Sequence, residues 1–408
     1  MGDPKKGPSL SPMSKDKRIN YPIRVLMVSH SGGLTGPNRS SFALATNLDK
    51  NKFYISSAFS PVGEFKSWIK NAGIEYFPLG FGLKSDLEIL WQLINILRRN
   101  EYHILHGRMG RVGPLICLAG RITGVPAVIL TEHMNDPEHS WLKDRPVRFF
   151  LHNLGHMATN NCLDKVIAVS EEARESYIRR QGIDPAKVVC IHNSVDFSRR
   201  TLPDHQRKTT LKKQLGFSED NLLIGLAGRL IREKGYGDVI IAAREIIGRN
   251  PQARFFVAGE GPERESLEAL AARNNISGKI KFSGFMDDMD SIMPAFDMLI
   301  QPSWSECRES FGNTLIEAMA NKAVVCASNV PAFLRITDNG KAGVIFQEKN
   351  PGDLAAKVNA LINDPAARND LAEKAYLYCR REFNASNAAR RLEKVYQDAL
   401  LDKGYKLC

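Results

Sequence analysis

Four short segments of the 408-residue chain carry residue types that can do chemistry, at spacings that chemistry uses. In Gly228-Arg229-Leu-Ile-Arg232-Glu233-Lys234-Gly235 an arginine and a lysine five residues later each adjoin a glycine. The guanidinium is a planar fork and the ammonium a compact point charge, a pairing suited to a diphosphate, and glycine lets backbone approach the ligand. In Glu309-Ser-Phe-Gly-Asn-Thr-Leu-Ile-Glu317 two carboxylates flank Gly312, after which Leu315, Ile316 and Met319 recur at helical spacing. Glu309 is therefore expected in a loop and Glu317 on the second turn of a helix, whose first N–H groups at Asn313 and Thr314 can bind phosphate oxygens. A carboxylate one turn along can accept from a ribose diol. The third segment is the glycine-rich His30-Ser31-Gly32-Gly33-Leu-Thr-Gly36-Pro37-Asn38-Arg39, and the fourth is Thr131-Glu132-His133, whose imidazole can hydrogen-bond a sugar or move a proton. Each alone also has a plain reading: a solvated basic loop, a capping pair of glutamates, a strand-to-helix turn, a structural histidine.

The elements that must position these residues are strands alternating with helices. Apolar or β-branched runs stand at Val25–Ser29, Tyr54–Phe59, Ile104–His106, Ala127–Thr131, Val166–Ser170 and Val188–Ile191, with amphipathic stretches between them. They lack strict alternation, as strands buried on both faces of a parallel sheet do. A polar stretch over Leu202–Thr210 interrupts the rhythm, which restarts at Leu222–Ala227 and continues through Arg254–Ala258, Ile280–Ser283, Met298–Gln301, Val324–Ala327 and Gly343–Phe346. The expected architecture is α/β, with two doubly wound Rossmann-like domains facing across a cleft. Ligands in such sheets bind beyond the carboxyl ends of strands, where all four segments fall. The expected division is a disordered basic tail over 1–20, a first domain over 21–203, a second over 204–385, and a carboxyl-terminal helix over 386–408 with one apolar face. Trp91, in Leu87–Leu97, reads as core because that segment is apolar nearly all round.

Composition closes off other classes. No apolar stretch approaches the ~20 residues that cross a bilayer, and the amino-terminal run is polar and basic. A cytoplasmic protein is expected, so the acceptor sequence Asn384-Ala-Ser386 would not meet the glycosylation machinery. Seven scattered cysteines make no Cys-x-x-Cys pair, and neither a disulfide framework nor a metal site is expected. The charge of +11 is concentrated early: residues 1–205 hold 27 Lys and Arg against 19 Asp and Glu. Such asymmetry suits a phosphorylated ligand or an anionic lipid surface; without a nucleic-acid-binding signature, no nucleic acid is expected. Trp141-Leu-Lys143-Asp-Arg145-Pro-Val-Arg148-Phe149-Phe150-Leu mixes basic and aromatic residues and reads either as a membrane-surface segment or as an ordinary packed helix.

Taken together, Gly228-Arg229 with Lys234-Gly235, the Glu309/Glu317 pair, Gly259-Glu260-Gly261-Pro262 and Ile191-His-Asn193-Ser-Val-Asp196 resemble the family-4 retaining glycosyltransferases of the GT-B fold, from about residue 23 to 400. The resemblance implies a nucleotide-diphosphate sugar as donor substrate, with UDP or GDP as the nucleotide, and no cofactor or metal. It implies that Arg229 and Lys234 hold the diphosphate, Glu317 the ribose and Glu309 the transferred sugar. Backbone amides from Phe311 through Gly312 and Asn313 to Thr314 would cradle the distal phosphate, with Gly33 closing over it and His133 beside the reacting carbon. The base would lie against Gly259 to Gly261 and the Phe285-Met286 turn. Gly32, Asn38, Arg39 and Arg108 are the acceptor-side candidates, and the terminal helix is implied to cross back onto the first domain. The glycine-rich loop lacks the shorter Gly-Gly-x-Glu-Arg of many members, and Ser328–Arg335 lacks their Gly-Gly and following glutamate.

The implied activity is transfer of a sugar, with retention, to a glycan or lipid-linked hydroxyl acceptor in cell-surface polysaccharide or glycolipid synthesis. Two other classes share the donor site. A nucleotide-sugar 2-epimerase would produce an epimer without any acceptor, and a noncatalytic nucleotide-sugar-binding protein would bind donor without turnover.

Overall fold

Strands buried on both faces need cover on both sides, and the computed structural model supplies it. It describes residues 17–80, 86–110, 112–133, 159–202, 204–286 and 288–408. In the first domain β2 (Ile23–Val28), β3 (Phe53–Phe59), β4 (Glu75–Pro78), β5 (Ile104–Arg108), β6 (Ala127–Glu132), β7 (Lys165–Ala168) and β8 (Val188–Cys190) form a seven-stranded sheet in the order β4-β3-β2-β5-β6-β7-β8. In the second, β9 (Leu222–Ala227), β10 (Ala253–Ala258), β11 (Ile280–Gly284), β12 (Met298–Gln301), β13 (Val324–Ser328) and β14 (Val344–Phe346) take the order β11-β10-β9-β12-β13-β14. Every neighbouring pair in both sheets is parallel. β9 is buried at all six positions, which its unbroken apolar run LLIGLA requires.

In both sheets the strand order reverses beside the first long strand, between β2 and β5 and between β9 and β12. The connections on either side leave a crevice there, the place where such sheets bind ligands. The crevice of the second domain is entered by Gly228-Arg229 after β9 and by the loop after β12; that of the first by the glycine-rich loop after β2 and Arg108 at the end of β5.

Two chain crossings join the domains and are stitched together. Val195 N–H donates to Phe383 O at 2.8 Å and Ala385 N–H to Val195 O at 2.9 Å. Asp196 accepts from Asn47 Nδ2 at 3.1 Å, tying the linker to the helix Gly36–Asn47. The last helix, Ala385–Leu401, leaves the second domain and buries Ala388, Leu392, Val395, Tyr396 and Leu400 among Ile23, Val25 and Ile104 of the first. Its apolar stripe therefore covers the first sheet.

Three features differ from the sequence expectation. The amino-terminal tail is not featureless throughout: β1 (Arg18–Ile19) pairs parallel with β15 (Lys406–Leu407), because Ile19 has an apolar side chain to bury and is 4% exposed. β4 carries glutamate and proline and lies at the sheet edge, where a proline costs no ladder bond. Trp91, expected in the core, is 65% exposed: its helix, Asp86–Arg99, fully buries only Ile89, Leu93 and Leu97 against the sheet. The basic-aromatic segment over 141–151 lies outside the described residues.

Candidate functional site

Two loops of the second domain meet because one residue between them has no side chain. After the turn Arg232–Lys234 the chain passes through Gly235 at φ +69°, and a Cβ there would lie 2.1 Å from Pro302 O. The contact is completed by Trp304 N–H donating to Glu233 O at 2.8 Å. It carries Lys234 onto the loop after β12, where Nζ stands 2.5 Å from Glu309 Oε1. Glu309 also accepts from Ser303 Oγ at 2.7 Å and faces Cys307 Sγ at 3.6 Å. Burial first, then the Glu309 charge, pushes the Cys307 thiol up to about 11, so it stays protonated at neutral pH and able to donate.

Beyond Glu309 the helix Asn313–Ala320 begins at Gly312, which offers no side-chain cap to its first N–H groups. Uncapped amides at a helix start form a partial positive charge. They open into a cleft of about 720 Å³ lined by Arg229, Lys234, Glu309, Phe311, Gly312, Asn313, Thr314 and, from the other domain, His133, Gly36 and Pro37. Arg229 is exposed, and its side chain makes no hydrogen bond or ion pair among the described residues. Anion-binding groups from two loops and a helix end thus surround one space.

A second compartment of about 410 Å³ continues behind Arg229, lined by Gly228, Gly259, Met286, Thr314 and Glu317. Gly259 has no room for a side chain: its Cβ would fall 1.9 Å from Gly228 O. Gly261 lies behind the wall, with Leu230 O 2.2 Å from where a Cβ would be, and positions the Arg229 loop without lining the compartment. Burial and the neighbouring Asp290 carboxylate push Glu317 up to about 7, against the opposing pull of Arg39 and Arg200. Asp290 is itself held by Arg200 Nη2 at 2.6 Å and approached by Arg39 Nη1 at 3.5 Å.

The first-domain residues fall into different places. Arg39 reaches across to Asp290 and lines the compartment that holds Glu317. Asn38 is 0% exposed and spends its amide on the loop itself: Nδ2 donates to Ser31 O at 2.9 Å and Gly33 O at 2.7 Å, while Oδ1 accepts from Ser29 Oγ at 2.9 Å and Arg108 Nη1 at 3.4 Å. It therefore faces no acceptor. Gly32 packs against the following loop, 2.3 Å from Ser60 O by its absent Cβ, and Gly33 does not line the cleft; Gly36 and Pro37 take the closing position. Burial lowers Arg108 to about 10, offset by Glu132, which leaves it charged at neutral pH.

His133 lines the main cleft, with Nε2 buried and without a hydrogen-bond partner among the described residues. Burial, then Arg108 and His106, hold its imidazole well below 6.5. It is neutral at physiological pH, with a ring nitrogen facing the cleft that can enter a hydrogen bond. Neither Ser303 nor Asp290, nor Gly36 as the closing residue, was marked by the sequence. Ser303 shows only as a small polar residue after a strand, and Asp290 has no motif around it.

Comparison with known proteins meets this geometry from two directions. Residues 35–199 match the family described as Glycosyltransferase Family 4, and residues 207–378 the one described as Glycosyl transferases group 1. An Escherichia coli UDP-Gal:alpha-D-GlcNAc-diphosphoundecaprenol alpha-1,3-galactosyltransferase is 24% identical over 401 residues, covering 95% of this chain and 100% of that one. The alpha-D-kanosaminyltransferase of Streptomyces kanamyceticus is 24% identical over 79% of this chain and 84% of its own. Among solved structures, Anabaena HepE in complex with UDP and glucose superposes with a TM-score of 0.77 at 19% identity, covering 92% of this chain and 100% of that chain.

Proposed function

Because the chain belongs to the group 1, family-4 glycosyltransferases of the GT-B fold, we propose that it transfers a sugar from a UDP-sugar, with retention of configuration, to a hydroxyl of a lipid-linked glycan. The observation that carries the reading is the Lys234–Glu309 pair at the mouth of an uncapped helix start, with Arg229 exposed beside it. In the transfer the bond between the anomeric carbon and the diphosphate oxygen breaks, the acceptor oxygen takes its place, the acceptor's hydroxyl proton passes to the departing diphosphate, and UDP leaves. Negative charge grows on the departing diphosphate. Fixed cations and amide dipoles aimed at that charge stabilise it most where water is excluded. Lys234, Arg229 and the amides of Asn313 and Thr314 supply this charge, so the reaction as proposed runs without a divalent ion.

Glu309, freed from Lys234 as the diphosphate draws the ammonium away, accepts from hydroxyls of the transferred sugar. His133, neutral and without a partner for Nε2 among the described residues, offers a hydrogen bond from the opposite wall. Glu317 accepts from the ribose diol while the base lies over Gly259 beside Met286. The UDP in the HepE complex and the UDP-Gal and diphosphoundecaprenol in the name of the E. coli relative support uridine and a lipid-linked acceptor. Among the described residues no helix is long and apolar enough to cross a membrane. Such an enzyme would work as a peripheral protein on the cytoplasmic face.

A thermal-shift panel of UDP, GDP, ADP, CMP and their sugar conjugates, run in chelator on the wild type and on Glu317→Ala, tests the site. Uridine nucleotides are expected to stabilise the wild type selectively and the variant much less. No shift with any nucleotide on folded protein would overturn the donor-site assignment, and a shift that requires added metal would overturn metal independence.

A further inference from the structure

Three groups converge on one carboxylate oxygen of Glu309 and leave the other alone. Lys234 Nζ donates to Oε1 at 2.5 Å, Ser303 Oγ donates to the same atom at 2.7 Å, and Cys307 Sγ faces it at 3.6 Å. No donor reaches Oε2 among the described residues, and Glu309 lines the cleft, so Oε2 is the oxygen left to accept from a ligand. The two strong donors differ in kind. Lys234 lines the cleft, where a bound diphosphate can take its ammonium. Ser303 is 0% exposed and does not line the cleft. Its backbone is fixed on both sides: its carbonyl accepts from Ser328 Oγ at 2.5 Å, and Trp304 N–H donates to Glu233 O at 2.8 Å.

The hydrogen bonds run in one direction. A carboxylate beside an ammonium only accepts, so the single proton of the Ser303 hydroxyl goes to Glu309 and its lone pairs are left for another donor. Gln301 Nε2 is that donor, at 3.3 Å, and Gln301 is 3% exposed. The series from Gln301 through Ser303 to Glu309 therefore starts away from water, where each bond polarises and strengthens the next. The backbone is bent to bring its members together. After the turn Ser305–Cys307, Arg308 takes φ +50° and ψ +50°, a left-handed conformation uncommon for a residue with a Cβ. That reversal returns Glu309 to Ser303, six residues earlier in the chain. Backbone held in such a conformation is typical of places where a side chain must be aimed.

We propose that Ser303, supported by Gln301, is a positioning residue that keeps Oε1 of Glu309 in place when the diphosphate draws Lys234 away, so that Oε2 stays aimed at the hydroxyls of the donor sugar. Without it the carboxylate follows the ammonium, and the sugar loses its acceptor while the diphosphate keeps its cation. The inference rests on the reading above of Glu309 as the residue that accepts from the sugar.

Calorimetric titration of the full chain with UDP, UDP-glucose, UDP-galactose and UDP-N-acetylglucosamine tests it, and the UDP-sugar that wild type binds most tightly is carried into the variants. The readout is affinity for that UDP-sugar relative to UDP. Ser303→Ala is expected to lower this ratio about tenfold, the scale of one hydrogen bond to a charged group, while affinity for UDP itself stays within about twofold. Glu309→Gln should lower the ratio at least as much, and adding Ser303→Ala to it should lower it no further, because residues that act as one unit are not additive. Ser303→Cys keeps a weaker donor in a similar shape; it should fall between wild type and Ser303→Ala, and it carries the comparison if the alanine variant does not fold. An unchanged ratio in folded Ser303→Ala overturns the inference. So does an equal weakening of UDP and UDP-sugar, which would make Ser303 a structural residue, and so does a further tenfold loss in the double variant, which would make it act without Glu309. Absence of UDP binding by wild type would instead overturn the donor site on which the inference rests.

Discussion

The side chain of Asn38, on the first-domain wall of the cleft, is completely buried with four hydrogen bonds, whereas that of Arg229, on the opposite wall, is exposed with none among the described residues. The contrast extends past these two. His106 is bound on both nitrogens at 2.7 Å, to Tyr396 and Thr131, and Arg108 is drawn into the Asn38 network. On the second-domain wall Lys234 and Glu309 are held mainly by each other, a pairing that a diphosphate can exchange. One wall spends its polar groups on shaping the glycine-rich loop; the other keeps them for a ligand. The two walls should therefore fail differently when cut.

The largest effect is expected on the ligand-facing wall. Lys234→Ala removes a fixed positive charge from the site of charge development and should lower kcat by about 10²-fold or more, by the magnitude seen when one preorganised donor is lost. Glu309 keeps Ser303 and Cys307 as donors, so folding should change little beside turnover. Steady-state kinetics with a UDP-sugar would show it; unchanged turnover would remove Lys234 from the catalytic machinery.

Asn38→Ala cuts the other wall and should behave in the opposite way. It strands the carbonyls of Ser31 and Gly33 and the Ser29 hydroxyl in a buried place, at a cost of about 2–3 kcal/mol. For a domain near 200 residues that lowers the melting temperature by roughly 5–10 °C. The comparison predicts that nucleotide binding survives at temperatures where the variant is folded. A variant as stable as wild type but unable to bind would show that Asn38 serves the ligand and not the loop.

The same contrast governs how much could be read from the sequence. The second-domain wall was legible as a cluster because its polar groups lie in two contiguous stretches, Gly228–Gly235 and Glu309–Glu317, each directly after a strand. Two parallel sheets were legible from apolar runs without alternation. The first-domain wall was not, because its assignments depend on which side chain satisfies which: Asn38 looks the same in sequence whether it faces an acceptor or clamps a loop. Arg39 meets the second-domain wall only because domain packing brings it to Asp290, about 250 residues away in sequence. Trp91 misled for a related reason. An all-round apolar helix is buried only if something covers both its sides, and the sheet covers one.

The subtlest prediction concerns Glu317, where the two walls meet. Its pKa is raised to about 7 by burial and by Asp290. A ribose diol donates to a carboxylate, so the nucleotide binds the ionised form and must expel a proton below that value. Affinity for UDP-glucose, whose diester-linked diphosphate does not titrate in this range, should fall roughly tenfold between pH 7.5 and 6, since one pKa unit of displacement is worth about 1.4 kcal/mol. Stability of the free protein runs the other way. A carboxyl whose folded pKa lies above its unfolded one favours the native state below the unfolded value, and that contribution is lost as pH rises through the folded one. Glu317→Gln should therefore melt higher than wild type at pH 8 while binding UDP-glucose weakly and without pH dependence. Asp290→Asn should move the midpoint of the wild-type binding curve to lower pH, because it removes a like charge while Arg39 and Arg200 remain. Calorimetric titrations across the range separate the cases: a pH dependence that persists in Glu317→Gln would assign the proton to another group. A flat wild-type curve would mean that the carboxylate stays ionised throughout and that Asp290 is fully neutralised by its two arginines.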